Sequence, residues 1–86
     1  MAEQKIGVVI HYFNHIHVAG IRLTDGELAV GDTIRVKGHT SDFTQTVESM
    51  QVDNESVEVA TAGQDIGIRV AEYTREHDEV FKVVED

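Results

Sequence analysis

Short runs in which every second residue is apolar are the feature of this sequence that most constrains its fold. Five such runs stand out: Ile6, Val8 and Ile10; Ile16 and Val18; Ile34 and Val36; Val57 and Val59; and Ile66, Ile68 and Val70. Successive side chains of a β-strand point to opposite faces, so a period of two places each set on one face of a sheet. No stretch has a convincing helical period, and residues 71–83 are interpreted as a loop that enters a last strand. The pattern predicts an all-β chain.

Clusters of turn-forming residues separate these runs. They lie at residues 24–27, 30–33, 38–42, 53–56 and 61–65. Gly and Asn accept positive φ angles there, and Asp or Ser can bond to nearby backbone. The clusters recur about every 8 to 12 residues, a spacing typical of small β-sandwiches and barrels.

The alternation slips at two points, which we interpret as β-bulges. One slip lies near Ala19 and Gly20, and the other separates Val47 from Met50. Bulges bend strands and increase twist, as a short antiparallel sheet requires in order to curl up. Closure also removes sheet edges that would promote aggregation. We therefore predict a small, closed or nearly closed antiparallel β-barrel of about six to seven strands.

Length and composition limit the architecture further. The chain has 86 residues and no cysteine, so we expect a single domain over residues 1–86 without disulfides or thiolate metal sites. Residues 1–4 and 84–86 are short polar ends that are predicted to fray. The sequence has neither a signal peptide pattern nor a long apolar segment, and we expect a cytoplasmic protein without membrane contact.

The charge balance limits the class of partner. Sixteen Asp and Glu residues against seven Lys and Arg residues give a formal net charge of −9. Phosphate backbones repel such a chain, because nucleic-acid affinity comes largely from Lys and Arg. Free nucleic acid is therefore a poor candidate partner. A protein or ribonucleoprotein partner is expected instead.

Three sequence blocks carry a resemblance to a known barrel. Gly31 and Asp32 open a strand, residues 47–50 read Val-Glu-Ser-Met, and residues 62–68 read Ala-Gly-Gln-Asp-Ile-Gly-Ile. In this order the blocks resemble the β-barrel second domain of translational GTPases such as elongation factor Tu, and the resemblance covers roughly the whole chain. It implies a translation-protein type of barrel.

The same resemblance implies a binding function without catalysis. A translational GTPase needs a P-loop, but Gly26 and Gly31 are followed by Asp32 and Thr33 instead of the Lys and Ser or Thr of that motif. We expect no GTP binding by this chain alone, no cofactor and no enzymatic activity. The first hypothesis is thus a stand-alone binding module that contacts a partner in translation.

A second hypothesis comes from a related resemblance. The segment 43–50, Phe-Thr-Gln-Thr-Val-Glu-Ser-Met, is similar to the small barrel on the C-terminal side of collagenase-like peptidases, some relatives of which are linked to RNA modification. This resemblance implies an accessory barrel of a separately encoded collagenase-like peptidase or RNA-modifying enzyme.

A cluster of histidines suggests a third hypothesis, metal binding. His11, His15 and His17 fall within seven positions. If a strand begins near Ile16, His15 and His17 share one face, and a reversal at Phe13 and Asn14 brings His11 across from them. The simpler interpretation is that Ile16 and Val18 face the core while the histidines face water.

Two further groups were considered as sites. Arg22, Arg35, Lys37 and Arg69 are weak candidates for a basic partner-binding patch if the fold brings them together. His39, Ser41 and Asp42 are the residue types of a nucleophilic triad, but near-neighbours in one loop rarely reach the ordered geometry that catalysis needs. No catalytic residue is therefore predicted.

Overall fold

The computed structural model describes residues 2–84, which form ten β-strands in two antiparallel sheets. The strands are β1 (Ala2–Phe13), β2 (Val18–Leu23), β3 (Glu27–Ala29), β4 (Thr33–Lys37), β5 (Asp42–Thr46), β6 (Met50–Val52), β7 (Glu55–Val57), β8 (Val59–Thr61), β9 (Asp65–Arg69) and β10 (Glu79–Val84). The all-β prediction is confirmed. The strands outnumber the six or seven expected because β3, β6, β7 and β8 have only three residues each.

The ten strands divide into a larger and a smaller sheet. Eight strands follow the order β5-β4-β10-β1-β2-β9-β6-β7, and β3 pairs with β8. The long strand β1 lies in the middle, where it pairs with both β10 and β2. Within residues 2–84, no helix is long and apolar enough to cross a membrane.

The core is a single cluster of buried apolar side chains. Its members are Ile6, Val9, Ala19, Ile21, Leu23, Leu28, Ile34, Val36, Phe43, Val47, Met50, Ala60, Ile66, Ile68, Val70 and Val80. The predicted inward sets of β4 and β9 are confirmed, because Ile34 and Val36, and then Ile66, Ile68 and Val70, are all buried.

Two bulges in β1 alter its predicted inward face. The pairing of β1 with β10 shifts between Lys5 and Gly7, and its pairing with β2 shifts between Val9 and His11. Each shift leaves one extra residue, so Ile6 and Val9 are buried while Val8 and Ile10 are only half-buried. The prediction that Val8 and Ile10 share the core face with Ile6 is wrong for this reason.

The slip predicted near Ala19 and Gly20 lies on the neighbouring strand. Along β2 the alternation is regular, since Ala19, Ile21 and Leu23 are all buried. The extra residue is in β1, opposite Gly20 and Ile21. The prediction that Ile16 and Val18 lie in the core is also wrong, because Ile16 is 55% exposed and Val18 is half-buried.

The second predicted slip is a connection between strands instead of a bulge. Residues 47–49 lie between β5 and β6 and belong to neither strand. Val47 remains buried because its backbone N–H donates to the carbonyl of Asp32 and its carbonyl accepts from Gly31.

Val59 was expected to face inward with Val57, but it is 51% exposed and its neighbour Ala60 is buried instead.

The predicted turn clusters fall between strands as expected. The tightest is the β6–β7 hairpin, where Asp53 and Asn54 have φ angles of 52° and 65°. Two consecutive positive φ angles are typical of a type I′ turn, whose twist matches that of the paired strands. Asp and Asn tolerate this conformation better than most residues.

The side chain of Gln45 joins β5 to the segment that follows β9. Its Nε2 donates to the carbonyl of Arg69 at 2.9 Å, and its Oε1 accepts from the N–H of Ala71 at 2.8 Å. β5 is an end strand of the eight-stranded sheet. The amide thus gives this end strand two hydrogen bonds to the backbone that follows β9.

Most residues of the two predicted frayed ends lie in strands. Ala2, Glu3 and Gln4 pair with Val84, Val83 and Lys82. These residues therefore belong to the sheet. Residues 1, 85 and 86, for which fraying was also predicted, lie outside the described part of the chain.

The substitution Thr74→Val is expected to stabilise the barrel. Thr74 is fully buried, and its Oγ1 has no hydrogen-bond partner among residues 2–84. A buried hydroxyl without a partner costs free energy, and valine keeps nearly the same shape. We expect the free energy of unfolding to rise by about 1 kcal/mol in urea titrations. A loss of stability would show that the hydroxyl is bonded in solution.

Candidate binding surface

The histidine cluster lies at the hairpin that joins β1 and β2. His11 is in β1, and His15 and His17 are in the turn of residues 14–17, because Phe13 pairs with Val18 across the hairpin. The strand therefore begins at Val18 and not near Ile16. His15 and His17 do not share a strand face as the metal hypothesis requires.

The contacts of these histidines are separate from one another. His17 Nδ1 lies 3.1 Å from the Tyr12 hydroxyl, whereas His11 Nδ1 lies 3.9 Å from a carboxylate oxygen of Glu76. The His11 ring also packs edge-on against Phe13, with ring centroids 4.5 Å apart. Among residues 2–84, no three His, Cys, Asp or Glu side chains are grouped so as to hold a metal ion.

The four basic candidates do not form one patch. Arg22 lies on β2 and pairs with Asp65 at 2.9 Å. Arg35 lies on β4, which β10 and β1 separate from β2, and it contacts Asp42 at 2.8 Å and Glu3 at 3.0 Å. The two arginines are thus neutralised separately, as the acidic composition favours.

The other two candidates lie at strand ends. Lys37 is the last residue of β4 and is paired across the ladder with Glu79. Arg69 ends β9, next to the segment held by Gln45. Lys37 lies on the same side of β4 as Arg35 and opposite Asp42 of β5. Arg69 is on β9, which β10, β1 and β2 separate from β4 in the sheet.

Ion pairs cover the exterior of β5, β4, β10 and β1. Lys5 contacts Glu79 at 2.9 Å, and Arg35 bridges β4 to Glu3 on β1 and to Asp42 on β5. We call this surface the charged face. Its charges compensate one another, and the apolar side chains of Val8 and Phe81 line a pocket beside the Lys5–Glu79 pair.

These ion pairs are expected to make the stability of the folded barrel depend on pH in the acid range. Hydrogen bonds from Arg35 lower the pKa of Asp42, and hydrogen bonds from Arg22 lower the pKa of Asp65. A carboxylate with a lowered folded pKa stabilises the protein above its unfolded pKa of about 3.9, and this stability is lost as the pH falls through the folded pKa. The contribution is small because both pairs are exposed.

The double variant Asp42→Asn, Asp65→Asn tests this contribution. We expect it to be less stable than the parent chain at pH 7, and the difference to narrow as the pH is lowered from about 5 to about 2. Urea unfolding at several pH values measures the difference. A difference that does not change with pH would contradict the assigned ion pairs.

The triad-type residues near β5 are directed to different partners. The Ser41 hydroxyl is buried and donates to the carbonyl of Tyr73 at 3.2 Å. Asp42 is held by Arg35, and His39 lies exposed in the preceding bend. These contacts give Ser41 and Asp42 structural roles.

An apolar groove lies on the other side of the barrel exterior. Its volume is about 400 Å³, and it runs from the β1–β2 hairpin over β9 towards the β6–β7 turn. Its apolar side is formed by Ile10, Phe13, Ile16 and Val18, and its floor includes Gly20 and Gly67. We call it the hairpin groove.

Two glycines open the floor of the hairpin groove. Gly20 on β2 and Gly67 on β9 are direct cross-strand partners. A Cβ on Gly67 would lie 3.4 Å from Val18 Cγ1, and one on Gly20 would lie 3.6 Å from the Phe13 ring. Gly20 is buried beneath Phe13, whereas Gly67 is partly exposed between Val18 and the β6–β7 turn, so an incoming group can reach the sheet at Gly67.

The polar rim of the groove is acidic. Asp53, Asn54 and Gln51 border one end, and Asp65 lies beside Gly67. Arg22 neutralises Asp65, whereas no Lys or Arg of the described residues lies within ion-pair distance of Asp53. The rim therefore carries net negative charge.

Sequence reasoning missed this groove. Ile16 and Val18 were predicted to face the core, whereas Ile16 is 55% exposed, Val18 is half-buried, and Phe13 beside them is 47% exposed. The available signal was an apolar hairpin tip together with a glycine in each of two strands. Such a signal becomes specific only when the pairing of Gly20 with Gly67 is known.

Comparison with known proteins links the chain to proteases. An uncharacterized protease of Methanocaldococcus jannaschii is 34% identical over 82 residues, which cover 94% of this chain and 20% of the protease. A collagenase of Porphyromonas gingivalis is 39% identical over 83 residues, which cover 93% of this chain and 20% of the collagenase. The chain thus spans about a fifth of the length of these relatives.

Solved structures show the same fold. The C-terminal domain of a Geobacillus thermoleovorans protein assigned to the U32 peptidases has a TM-score of 0.86 and 18% identity, covering 94% of this chain and 93% of that domain. Its selenomethionine variant has a TM-score of 0.83. The fold predicted from the alternation is therefore confirmed.

The family itself follows from the sequence match. The model of the family described as Elongation factor Tu domain 2 matches residues 17–77. The match begins at the β1–β2 turn and includes the three blocks on which the resemblance was based. This chain belongs to the elongation factor Tu domain 2 family.

Proposed function

We propose that this chain is a non-catalytic accessory barrel that binds a collagenase-like peptidase chain. The observation that carries the proposal is the pattern of identity. More than nine-tenths of the chain matches the M. jannaschii protease and the P. gingivalis collagenase, yet the match accounts for only 20% of each. The chain is therefore the counterpart of one module of these proteins.

The fold comparison supports a modular function. The Geobacillus domain was crystallised as a separate domain, and it covers 94% of this chain. A unit that folds by itself and makes up a fifth of a larger protease is suited to binding or positioning. In those relatives, catalysis is then expected of the remaining four-fifths.

The exterior of the barrel also supports binding over catalysis. The side chains of Ser41 and Asp42 are engaged with Tyr73 and Arg35. The hairpin groove is open and apolar, as expected for a docking surface. Because Ser41 and Asp42 are engaged in these contacts, they give no reason to assign a nucleophile.

The translation hypothesis has less support. Family membership alone does not assign a translation partner, because one fold serves many functions. The basic residues Arg22 and Arg35 are neutralised by carboxylates, which weakens the case for a surface that binds RNA. A translation partner and an RNA-modifying partner stay predictions. The following experiment distinguishes both of them from a peptidase partner.

Affinity purification of the tagged full chain from its own cells, followed by mass spectrometry, tests the proposal. We expect a collagenase-like peptidase chain to be enriched over an untagged control. We also expect the purified chain alone not to hydrolyse gelatin. Enrichment of translation components in place of a peptidase, or hydrolysis by the chain alone, would overturn the proposal.

A further inference from the structure

We propose that the hairpin groove is the face that docks the peptidase chain. Its occupant is a protein segment that presents an aromatic or branched aliphatic side chain flanked by Lys or Arg. This inference rests on the proposed function and specifies the surface and the chemistry of the contact. Four observations carry it.

The first observation is the exposure of large apolar side chains at one place. Phe13 and Ile16 are 47% and 55% exposed, and both border the hairpin groove with Val18. Binding of an apolar group here would remove this area from water, which favours association. Aromatic anchors of this kind commonly dominate binding energy.

The second observation is that the groove can admit a side chain. Gly20 and Gly67 are cross-strand partners on β2 and β9, and Gly67, which has no side chain, leaves the floor of the groove open between Val18 and Gln51. A groove of about 400 Å³ accommodates one large apolar side chain and its neighbours. The partly exposed backbone of Gly67 also allows close approach by the partner's main chain.

The third observation is charge. Asp53 lies at the rim without a cation within ion-pair distance among the described residues, and the whole chain has a formal charge of −9. An acidic rim around an apolar centre favours a partner segment with Lys or Arg beside its apolar anchor. An acidic segment would be repelled.

The fourth observation concerns the charged face. On the charged face, Arg35 contacts Glu3 and Asp42, and Lys5 contacts Glu79. Docking there would require partner groups to replace ion pairs that are already satisfied. The hairpin groove requires no such exchange.

The test measures how tightly variants of the full chain bind the peptidase chain that co-purifies with the parent, and it compares their dissociation constants. The first variant, Phe13→Ser with Ile16→Ser, removes the apolar side of the groove. The second, Gly67→Leu, fills the floor from a position where a Cβ meets only Val18 Cγ1 at 3.4 Å. The matched control, Val59→Ser, removes an apolar side chain that is 51% exposed on β8, in the other sheet.

We expect each groove variant to raise the dissociation constant about thirtyfold and the control to leave it within about twofold. Thermal unfolding of all three variants shows whether they are folded. The two groove variants are independent tests, because one removes the apolar side chains that border the groove and the other fills its floor. If the parent binds the peptidase and both folded groove variants bind equally well, the groove assignment is overturned while the proposed function stands. If the parent binds no peptidase, the proposed function itself fails.

A charge variant tests the chemistry of the occupant. Asp53→Asn removes the rim charge and keeps a residue that tolerates the φ of 52° in the type I′ turn. We expect weaker binding at low salt and a smaller dependence of affinity on salt concentration. Tighter binding by Asp53→Asn would overturn the assignment of a basic partner segment.

Discussion

The substitution Gly7→Ala is expected to lower the free energy of unfolding by about 3 kcal/mol, which is a large effect for a single methyl group. Gly7 is buried in β1 directly after the first bulge, where it pairs with Leu23 and Val80. A Cβ at this position would lie 2.5 Å from the carbonyl oxygen of Arg22. That oxygen belongs to the backbone of β2, so it cannot rotate away as a side chain would.

The matched control for this prediction is Gly67→Ala. Gly67 also lies in a strand, but its Cβ would meet only a Val18 methyl group at the ordinary distance of 3.4 Å. Alanine in a strand loses less conformational entropy on folding than glycine, so we expect no loss and a gain of about 0.5 kcal/mol. Urea unfolding of both variants measures the contrast. Equal stabilities would show that β1 and β2 are not so closely spaced at the bulge.

The second large effect is expected for Ile21→Ala, which should cost about 3 kcal/mol. Ile21 has 0% exposure and lies in the central part of the sheet, where it pairs with Val9 and Ile66. Truncation to alanine leaves a cavity among side chains that hydrogen-bonded strands hold in place. Partial collapse of the cavity would place the cost at the lower end of the usual range of about 2 to 5 kcal/mol.

The informative control is Ile16→Ala, which removes the same atoms only five positions away. Ile16 is 55% exposed in the hairpin region, so we expect a change within about 0.5 kcal/mol. The alternation of the sequence alone placed Ile16 in the core. If Ile16→Ala were as destabilising as Ile21→Ala, the sequence interpretation would be right and the described hairpin wrong.

Strand β9 shows why much of the fold could be predicted. Ile66 and Ile68 alternate inward because no bulge interrupts β9, and Val70, directly after the strand, continues the alternation. Ile34 and Val36 in β4 are predictable for the same reason. In these strands the local pattern and the tertiary face agree, so a period of two is sufficient evidence.

Strand β1 shows where local reasoning fails. Its two bulges depend on the register of pairing with β10, which lies at the other end of the described chain, and with β2. Each extra residue reverses the faces of the residues that follow it. The sequence shows that a slip is present near the hairpin, but the slipped strand is determined by pairing with a distant partner.

The candidate site depended even more on tertiary pairing. His11, His15 and His17 were visible in the sequence as a cluster, yet the residues that shape the groove are less conspicuous. Gly20 and Gly67 are remote in the chain and become a shared floor only through the pairing of β2 with β9. A surface of this kind has no local sequence pattern.

The central claim, that this barrel docks a collagenase-like peptidase through the hairpin groove, is tested most directly by photo-crosslinking in cells. Benzoylphenylalanine replaces Phe13 in one sample and Val59 in a second, and mass spectrometry identifies the crosslinked proteins. We predict a crosslink to a collagenase-like peptidase chain from position 13 and none from position 59. Crosslinks from position 13 to translation components instead, or equal peptidase crosslinks from both positions, would contradict the account.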